Sequence, residues 1–101
     1  MTVYVVAQLT IHDRESYGRY EARFMEVFGK FAGTLLAVDE QPAVIEGAWH
    51  CTRAVLGSFP DEAAFRAWWD SADYQDSARH RRAGSDAVII LARGLPASGS
   101  A

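Results

Sequence analysis

The chain has little cysteine and no long hydrophobic run. Its one cysteine, Cys51, leaves no internal disulfide available, so a reducing compartment is the simpler expectation. The apolar stretch over residues 3–11 is only as long as a strand and is broken by Gln8 and Thr10, which is typical of neither a signal peptide nor a membrane-spanning segment. We therefore expect a cytoplasmic protein without a membrane partner.

A strong positive charge and several catalytic motifs are also missing. The formal net charge of −3 gives no electrostatic reason to expect nucleic acid as a partner. The sequence contains no glycine-rich phosphate loop, no G-x-S-x-G and no C-x-x-C. These absences argue against nucleotide-dependent, serine-hydrolase and thioredoxin chemistry.

What the chain does have is a regular alternation of strand and helix signals. Half of its 101 residues are hydrophobic, which is enough for one compact core. We predict one domain over residues 1–95 and a flexible tail over 96–101. The predicted helices begin at the N-cap residues Asp13 and Asp61; the first ends at Gly33, and the second is interrupted at Ser71 and continues as a further helical segment. The predicted strands are residues 3–11, 33–38, 53–59 and 86–93.

The order strand, helix, strand, strand, helix, strand is that of the ferredoxin-like split βαβ arrangement. We therefore predict an α+β fold with a four-stranded antiparallel sheet and both helices on one face. The first and last strands are apolar on both faces, although helices cover only one, and an exposed apolar sheet face is typical of an interface. We expect a two-fold homodimer through this open face, which carries either Tyr4 and Val6 or Val3 and Val5.

Four segments of the chain resemble the bacterial family called domain of unknown function 1330 (DUF1330): "AQLTIHDRESYGRY", "VIEGAW", "RAVLGSFPDEAAFRAWWDSADYQ" and "AVIILARG". The similarity spans residues 3–94 and implies the dimeric α/β-barrel superfamily. Members of that superfamily include cofactor-independent monooxygenases, small-ring isomerases, haem-degrading enzymes and effector-sensing domains, so the resemblance implies fold and dimer more than activity. The positions that match the family pattern are Glu46, Trp49, Arg53, Trp69, Tyr74, Gln75 and Arg81. The chain departs from that pattern at His50–Cys51, where the family usually has Pro or another small residue after the tryptophan, and at Gly33–Thr34.

Reactive side chains are concentrated in "VIEGAWHCTRAVLGSF", residues 44–59. Neighbouring residues of an extended chain point to opposite faces, so we expect His50 and Cys51 to have a structural role. No metal site is expected, because a zinc site needs three or four ligands, whereas the one cysteine and three histidines lie in three different segments of the chain.

Glu46 and Arg53 are a stronger pair, since a hairpin turning around Gly47 to Thr52 would bring them together. The pair then either pins the hairpin or contributes to a site. A carboxylate held by arginine has a lowered pKa and suits ligand orientation, whereas one in an apolar pocket has a raised pKa and suits acid or base catalysis.

The aromatic residues point to a ligand pocket that holds a planar apolar molecule. Arg81 could reach into this pocket as an anion partner, whereas the rest of the "RHRR" patch is a solvated face. Two functions are compatible with this pattern: a small-molecule-binding homodimer, or a cofactor-independent enzyme, monooxygenase- or isomerase-like, that acts on a small cyclic or carboxylated substrate with Glu46 as acid or base and Arg53 beside it. Neither requires a cofactor. The predicted lining is Tyr17, Glu46, Trp49, Arg53, Trp69 and Tyr74.

Overall fold

The computed structural model describes residues 1–96 and forms a four-stranded antiparallel sheet with helices on one face. The sheet order is β2-β3-β1-β4, and the chain follows the predicted ferredoxin-like βαββαβ order with the second helix divided in two. Apart from Pro96, the predicted tail lies outside the described residues. The elements are β1 (Val3–Ile11), α1 (Arg14–Phe28), β2 (Thr34–Asp39), β3 (Arg53–Phe59), α2 (Glu62–Trp69), α3 (Ala72–Gly84) and β4 (Ser85–Arg93).

Each helix begins at a side chain that caps its first turn. Asp13, Asp61 and Ser71 all accept hydrogen bonds from backbone N–H groups at the starts of α1, α2 and α3. Such caps each contribute about 1 kcal/mol to helix stability. Helix α1 ends at Phe28 and not at Gly33, because Lys30 N and Phe31 N donate to the carbonyls three residues earlier and tighten the chain into a turn.

The two faces of the sheet differ in what covers them. The odd-numbered residues of β1, from Val3 to Ile11, are buried against the helices. Tyr4 and Val6 therefore lie on the sheet face without helices, which we call the open face. Of the two residue pairs that the sequence allowed on this face, the structure has Tyr4 and Val6. Val6 pairs with Leu56 on one side and Ile90 on the other, and Ile90 is 54% exposed. The open face is apolar, as the sequence predicted.

Strand β2 forms one edge of the sheet and contains a bulge. Its pairing with β3 shifts register between Leu35 and Ala37. Most of the strand is exposed, including Val38, and only Leu35 is half-buried against the core. This leaves an opening between α1 and β2.

The predicted hairpin over residues 44–59 is wrong. Residues 41–52 contain no strand, and β3 pairs with β2 on one side and β1 on the other, so no free edge of β3 remains for residues 44–50. Gly47 has a positive φ of 91°, which turns the segment away from an extended path. Thr52 fixes the end of the segment, because its N donates to Leu9 O and its Oγ1 accepts from Ile11 N, both at 2.8 Å.

The helices were compared with the dimensions of a bilayer. Within residues 1–96, none is both long enough and apolar enough to span one.

Candidate ligand-binding cavity

A cavity of about 240 Å³ lies between the helix-facing side of the sheet and the three helices. This volume is just below the usual range for small-molecule pockets, roughly 300–1,000 Å³. The lining residues most exposed to solvent are Glu21, Met25 and Val38, so the cavity opens between α1 and β2. The floor is apolar and comes from Val5, Ala7, Leu9, Leu35, Val55, Gly57, Phe59 and Ile89.

Aromatic rings form the inner walls. The Trp68 ring stacks on Phe59 with centroids 5.5 Å apart and lies 4.2 Å from the Tyr74 ring. Trp69 is half-buried and lies 5.2 Å from Tyr74. The indole Nε1 of Trp68 is buried and has no hydrogen-bond partner among the described residues. The walls therefore offer flat apolar surface to the cavity.

Two tyrosine hydroxyls meet inside the fold. Tyr20 Oη and Tyr74 Oη are 3.1 Å apart. Burial raises the pKa of Tyr20 well above its usual value of 10, and the Tyr74 hydroxyl adds to this effect. Burial also raises the pKa of Tyr17, against the opposing charge of Arg53. Both phenols therefore keep their protons near neutral pH, where they can donate hydrogen bonds but cannot act as bases.

Tyr20→Phe is expected to make the free energy of unfolding fall less steeply as pH rises above about 10. In the unfolded chain the phenol releases its proton near pH 10, whereas the fold retains it, so this contribution is complete below pH 10 and is lost as pH rises towards the raised pKa. The free energy of unfolding, measured by urea titration from pH 7 to 11, should fall less steeply above pH 10 in the variant. At pH 7 the variant should lose about 1 kcal/mol with the Tyr74 hydrogen bond. A slope equal to that of wild type and of Tyr4→Phe would contradict the assignment.

Arg53 lies at the cavity mouth with its charge already matched. Its Nη1 is 3.2 Å from Glu21 Oε2 and 3.1 Å from Glu40 Oε1. Glu40 also accepts from Arg14 at 3.0 Å, and the two arginines, Arg14 first, hold the Glu40 pKa below its usual value. The guanidinium carbon of Arg53 is 5.4 Å from the centre of the Tyr17 ring. Arg53 thus joins α1, β3 and the chain after β2.

Arg81 projects from α3 into the cavity and is only 6% exposed. Its guanidinium carbon lies 6.0 Å from the Tyr20 ring centre and 5.8 Å from that of Trp69. Within residues 1–96, no carboxylate comes within 4.0 Å of it, and its buried Nε has no partner. Burying an unpaired charge costs several kcal/mol, whereas a cation–π contact returns about 0.5–2 kcal/mol. The charge of Arg81 is therefore only partly compensated.

The structure brings five of the seven predicted site residues to this cavity. They come from α1, β3, the end of α2 and α3, and are Tyr17, Arg53, Trp69, Tyr74 and Arg81. Glu46 is exposed and does not line the cavity, and no ion pair joins it to Arg53 in the described part of the chain. Trp49 is half-buried away from the lining, with its Nε1 unpartnered among residues 1–96. The roles predicted for Glu46 and Trp49 stay predictions.

The reactive pair next to Trp49 also lies outside the cavity lining. His50 is exposed and Cys51 is a half-buried free thiol. Among the residues that the structure describes, no three His, Cys, Asp or Glu side chains come together as metal ligands.

Sequence reasoning missed much of the α1 wall. The predicted lining did not include Tyr20, Phe24 and Phe28 of α1, and all three line the cavity. The position of Glu21 is a sequence signal for this wall. It lies four residues after Tyr17 and so shares one side of α1 with that residue, and in the structure it pairs with Arg53 at the mouth.

The chain was then compared with known proteins. The sequence profile of a domain of unknown function (DUF1330) matches residues 2–95. The chain belongs to the DUF1330 family. This confirms the resemblance drawn from its motifs. No curated protein matches this DUF1330 member.

Solved structures that resemble this DUF1330 chain share its fold at low sequence identity. A protein of unknown function from Rhodopseudomonas palustris has a TM-score of 0.79 at 18% identity, over 94% of this chain and 83% of that one. SnoaB, a cofactor-independent oxygenase from Streptomyces nogalater, has a TM-score of 0.65 at 17% identity, over 98% of both chains. A dimeric ferredoxin-like protein of unknown function from Thermobifida fusca YX has a TM-score of 0.63 at 16% identity, over 90% and 89%. At these identities the likeness supports the ferredoxin-like fold and no particular activity.

Proposed function

We propose that this DUF1330 protein is a homodimeric small-molecule-binding protein and that each subunit binds one small cyclic ligand in the cavity. The observation that carries the proposal is the cavity itself: an apolar floor, aromatic walls and an opening to solvent between α1 and β2. Flat rings bind between aromatic side chains through offset or edge-to-face contacts. Residues 1–95 form one domain on this proposal, in keeping with the family match over 2–95, and the free thiol of Cys51 suits the cytoplasm.

The dimer in this proposal forms through the open face. That face carries the row Leu56, Val6 and Ile90, whose apolar side chains would otherwise stay in water. Two identical open faces that pack together about a two-fold axis would cover these side chains without a second kind of protein. A structural neighbour, the Thermobifida fusca protein, is described as dimeric.

Binding fits the cavity better than acid–base catalysis does. The tyrosines with raised pKa values, Tyr17 and Tyr20, stay protonated near neutral pH, and Glu46 lies outside the lining. A cofactor-independent enzyme is the second candidate, and it is favoured by the shared fold with SnoaB, a cofactor-independent oxygenase. On that alternative the predicted acid or base is still Glu46, and conversion of a bound compound by wild type but not by Glu46→Gln would support it.

Filling the cavity is expected to abolish ligand binding. Val55 is on β3 and faces the cavity, so Val55→Phe places a ring where the ligand would lie. We expect a wild-type titration with 2-naphthamide and 2-naphthoate to quench tryptophan fluorescence with one site per chain, because Trp68 and Trp69 line the cavity. The variant should lose at least tenfold in affinity.

The matched control is Val44→Phe, the same substitution at a residue that is 52% exposed and outside the lining. It should bind as wild type does. Equal binding by Val55→Phe would contradict the proposed site, and no binding of any ring compound by wild type would contradict the proposed function.

A further inference from the structure

We propose that the ligand of this cavity carries one carboxylate and that Arg81 binds it. This inference rests on the proposed function and adds the chemical class of the ligand. It is carried by a buried guanidinium that lines the cavity and has no acidic partner among the described residues.

The charges of the cavity lining leave one positive charge unmatched. Three charged residues line it: Glu21, Arg53 and Arg81. Glu21 pairs with Arg53 at 3.2 Å, and Glu40 approaches the same Arg53 nitrogen at 3.1 Å. Arg81 has only the faces of Tyr20 and Trp69. A ligand with a single negative charge would complete this arrangement.

Arginine also suits a carboxylate by its geometry. Its planar guanidinium presents parallel N–H donors that match the two oxygens of a carboxylate. Three lining residues have a buried donor nitrogen without an acceptor among residues 1–96: Arg53 (Nε), Arg81 (Nε) and Trp68 (Nε1). Arg81 differs from the other two because it carries a charge that no carboxylate pairs with in this part of the chain, so the partner that it lacks is an anion.

The position of Arg81 fixes the orientation of the ligand. Arg81 is buried next to Trp69, whereas the carboxylates of Glu21 and Glu40 are exposed beside the mouth. A carboxylated ring would therefore enter with its carboxylate towards α3. Its ring would then lie along the aromatic walls, and its apolar end would face Met25 and Val38.

The test compares acids with neutral amides of the same shape. Isothermal titration calorimetry near neutral pH would measure benzoate against benzamide and 2-naphthoate against 2-naphthamide. Wild type should bind each acid about ten- to a hundredfold more tightly than its amide, as expected for a charge-assisted hydrogen bond.

Arg81→Met should remove that preference, so that each acid binds with about the affinity of its amide. The matched control is Arg79→Met, since Arg79 is also on α3 but is exposed and pairs with Asp76 at 2.8 Å. It should keep the preference for acids. Unliganded Arg81→Met should also melt at a higher temperature than wild type, because it no longer buries an unpaired charge.

The outcomes separate this inference from the proposed function. Binding of acid and amide with equal affinity would overturn the carboxylate assignment while the proposed function stands, and this comparison needs only wild-type protein. A preference for acids that survives in Arg81→Met would overturn the role of Arg81. Failure of all four compounds to bind would overturn the proposed function as well.

Discussion

Ile90→Lys is expected to convert the proposed dimer into monomers of 11.1 kDa. Ile90 lies on the open face in one row with Val6 and Leu56, and it is 54% exposed in the single chain. Two-fold symmetry would bury the new charge twice, once from each subunit. At about 3–5 kcal/mol for each unpaired buried charge, the dissociation constant should rise more than about ten-thousandfold.

Sedimentation equilibrium over a range of concentrations would measure this change. The variant monomer should keep its fold and its circular dichroism spectrum, because the side chain points to solvent when no partner is present. The control is Ala67→Lys, which adds the same charge at an exposed position on α2, away from the open face. A variant that stays dimeric would place the interface elsewhere, and a monomeric wild type at micromolar concentration would contradict the homodimer.

Phe59→Ala is expected to lower the free energy of unfolding by about 3–5 kcal/mol. The Phe59 side chain is 1% exposed at the end of β3. Its ring stacks on Trp68 at 5.5 Å and meets Phe28 and Phe65 edge-on, each at 5.7 Å. Removing it deletes the contact surface of three rings and opens a void beside the cavity. A loss of this size is a large part of the roughly 5–15 kcal/mol by which a domain is stable.

Urea denaturation of the variant beside Ile45→Ala would measure the effect. Ile45 is 92% exposed, so its truncation should change stability by no more than about 0.5 kcal/mol. Similar values for the two variants would contradict the central place of Phe59 in the core.

The fold could be predicted because its signals are local. Asp13 and Asp61 cap helices in the structure as their positions in the sequence predicted, and Ser71, predicted as an interruption, caps α3. The strand signals predicted β1 and β3 to the residue. An uncovered apolar sheet face followed from the number of faces that two helices can shield, although the sequence did not decide which residues of β1 lie on it. Each of these inferences needs only a few neighbouring residues and the fixed spacing at which side chains of a helix or strand return to the same face.

The site was only partly predictable because its partners come from distant segments. Arg53 was expected to meet Glu46, seven positions earlier, but its carboxylates are Glu21 on α1 and Glu40 at the end of β2. Sequence spacing says nothing about which of several carboxylates a long side chain reaches. Arg81, by contrast, was distinguished from the rest of the "RHRR" patch in the sequence, and the structure buries it while Arg79 and Arg82 are exposed.

The bulge in β2 also affects how copies of the chain can aggregate. An edge strand with a regular row of free N–H and C=O groups can accept a strand from another molecule and extend into a fibril. In β2 the shift between Leu35 and Ala37 interrupts that row, and Asp39 adds a charge at the end of the strand. Edge-to-edge growth is thereby disfavoured on this side of the sheet. On the proposed two-fold pairing, association through the sheet faces would stop at two copies, so the same apolar strands that promote fibrils at an edge would form a closed and finite assembly.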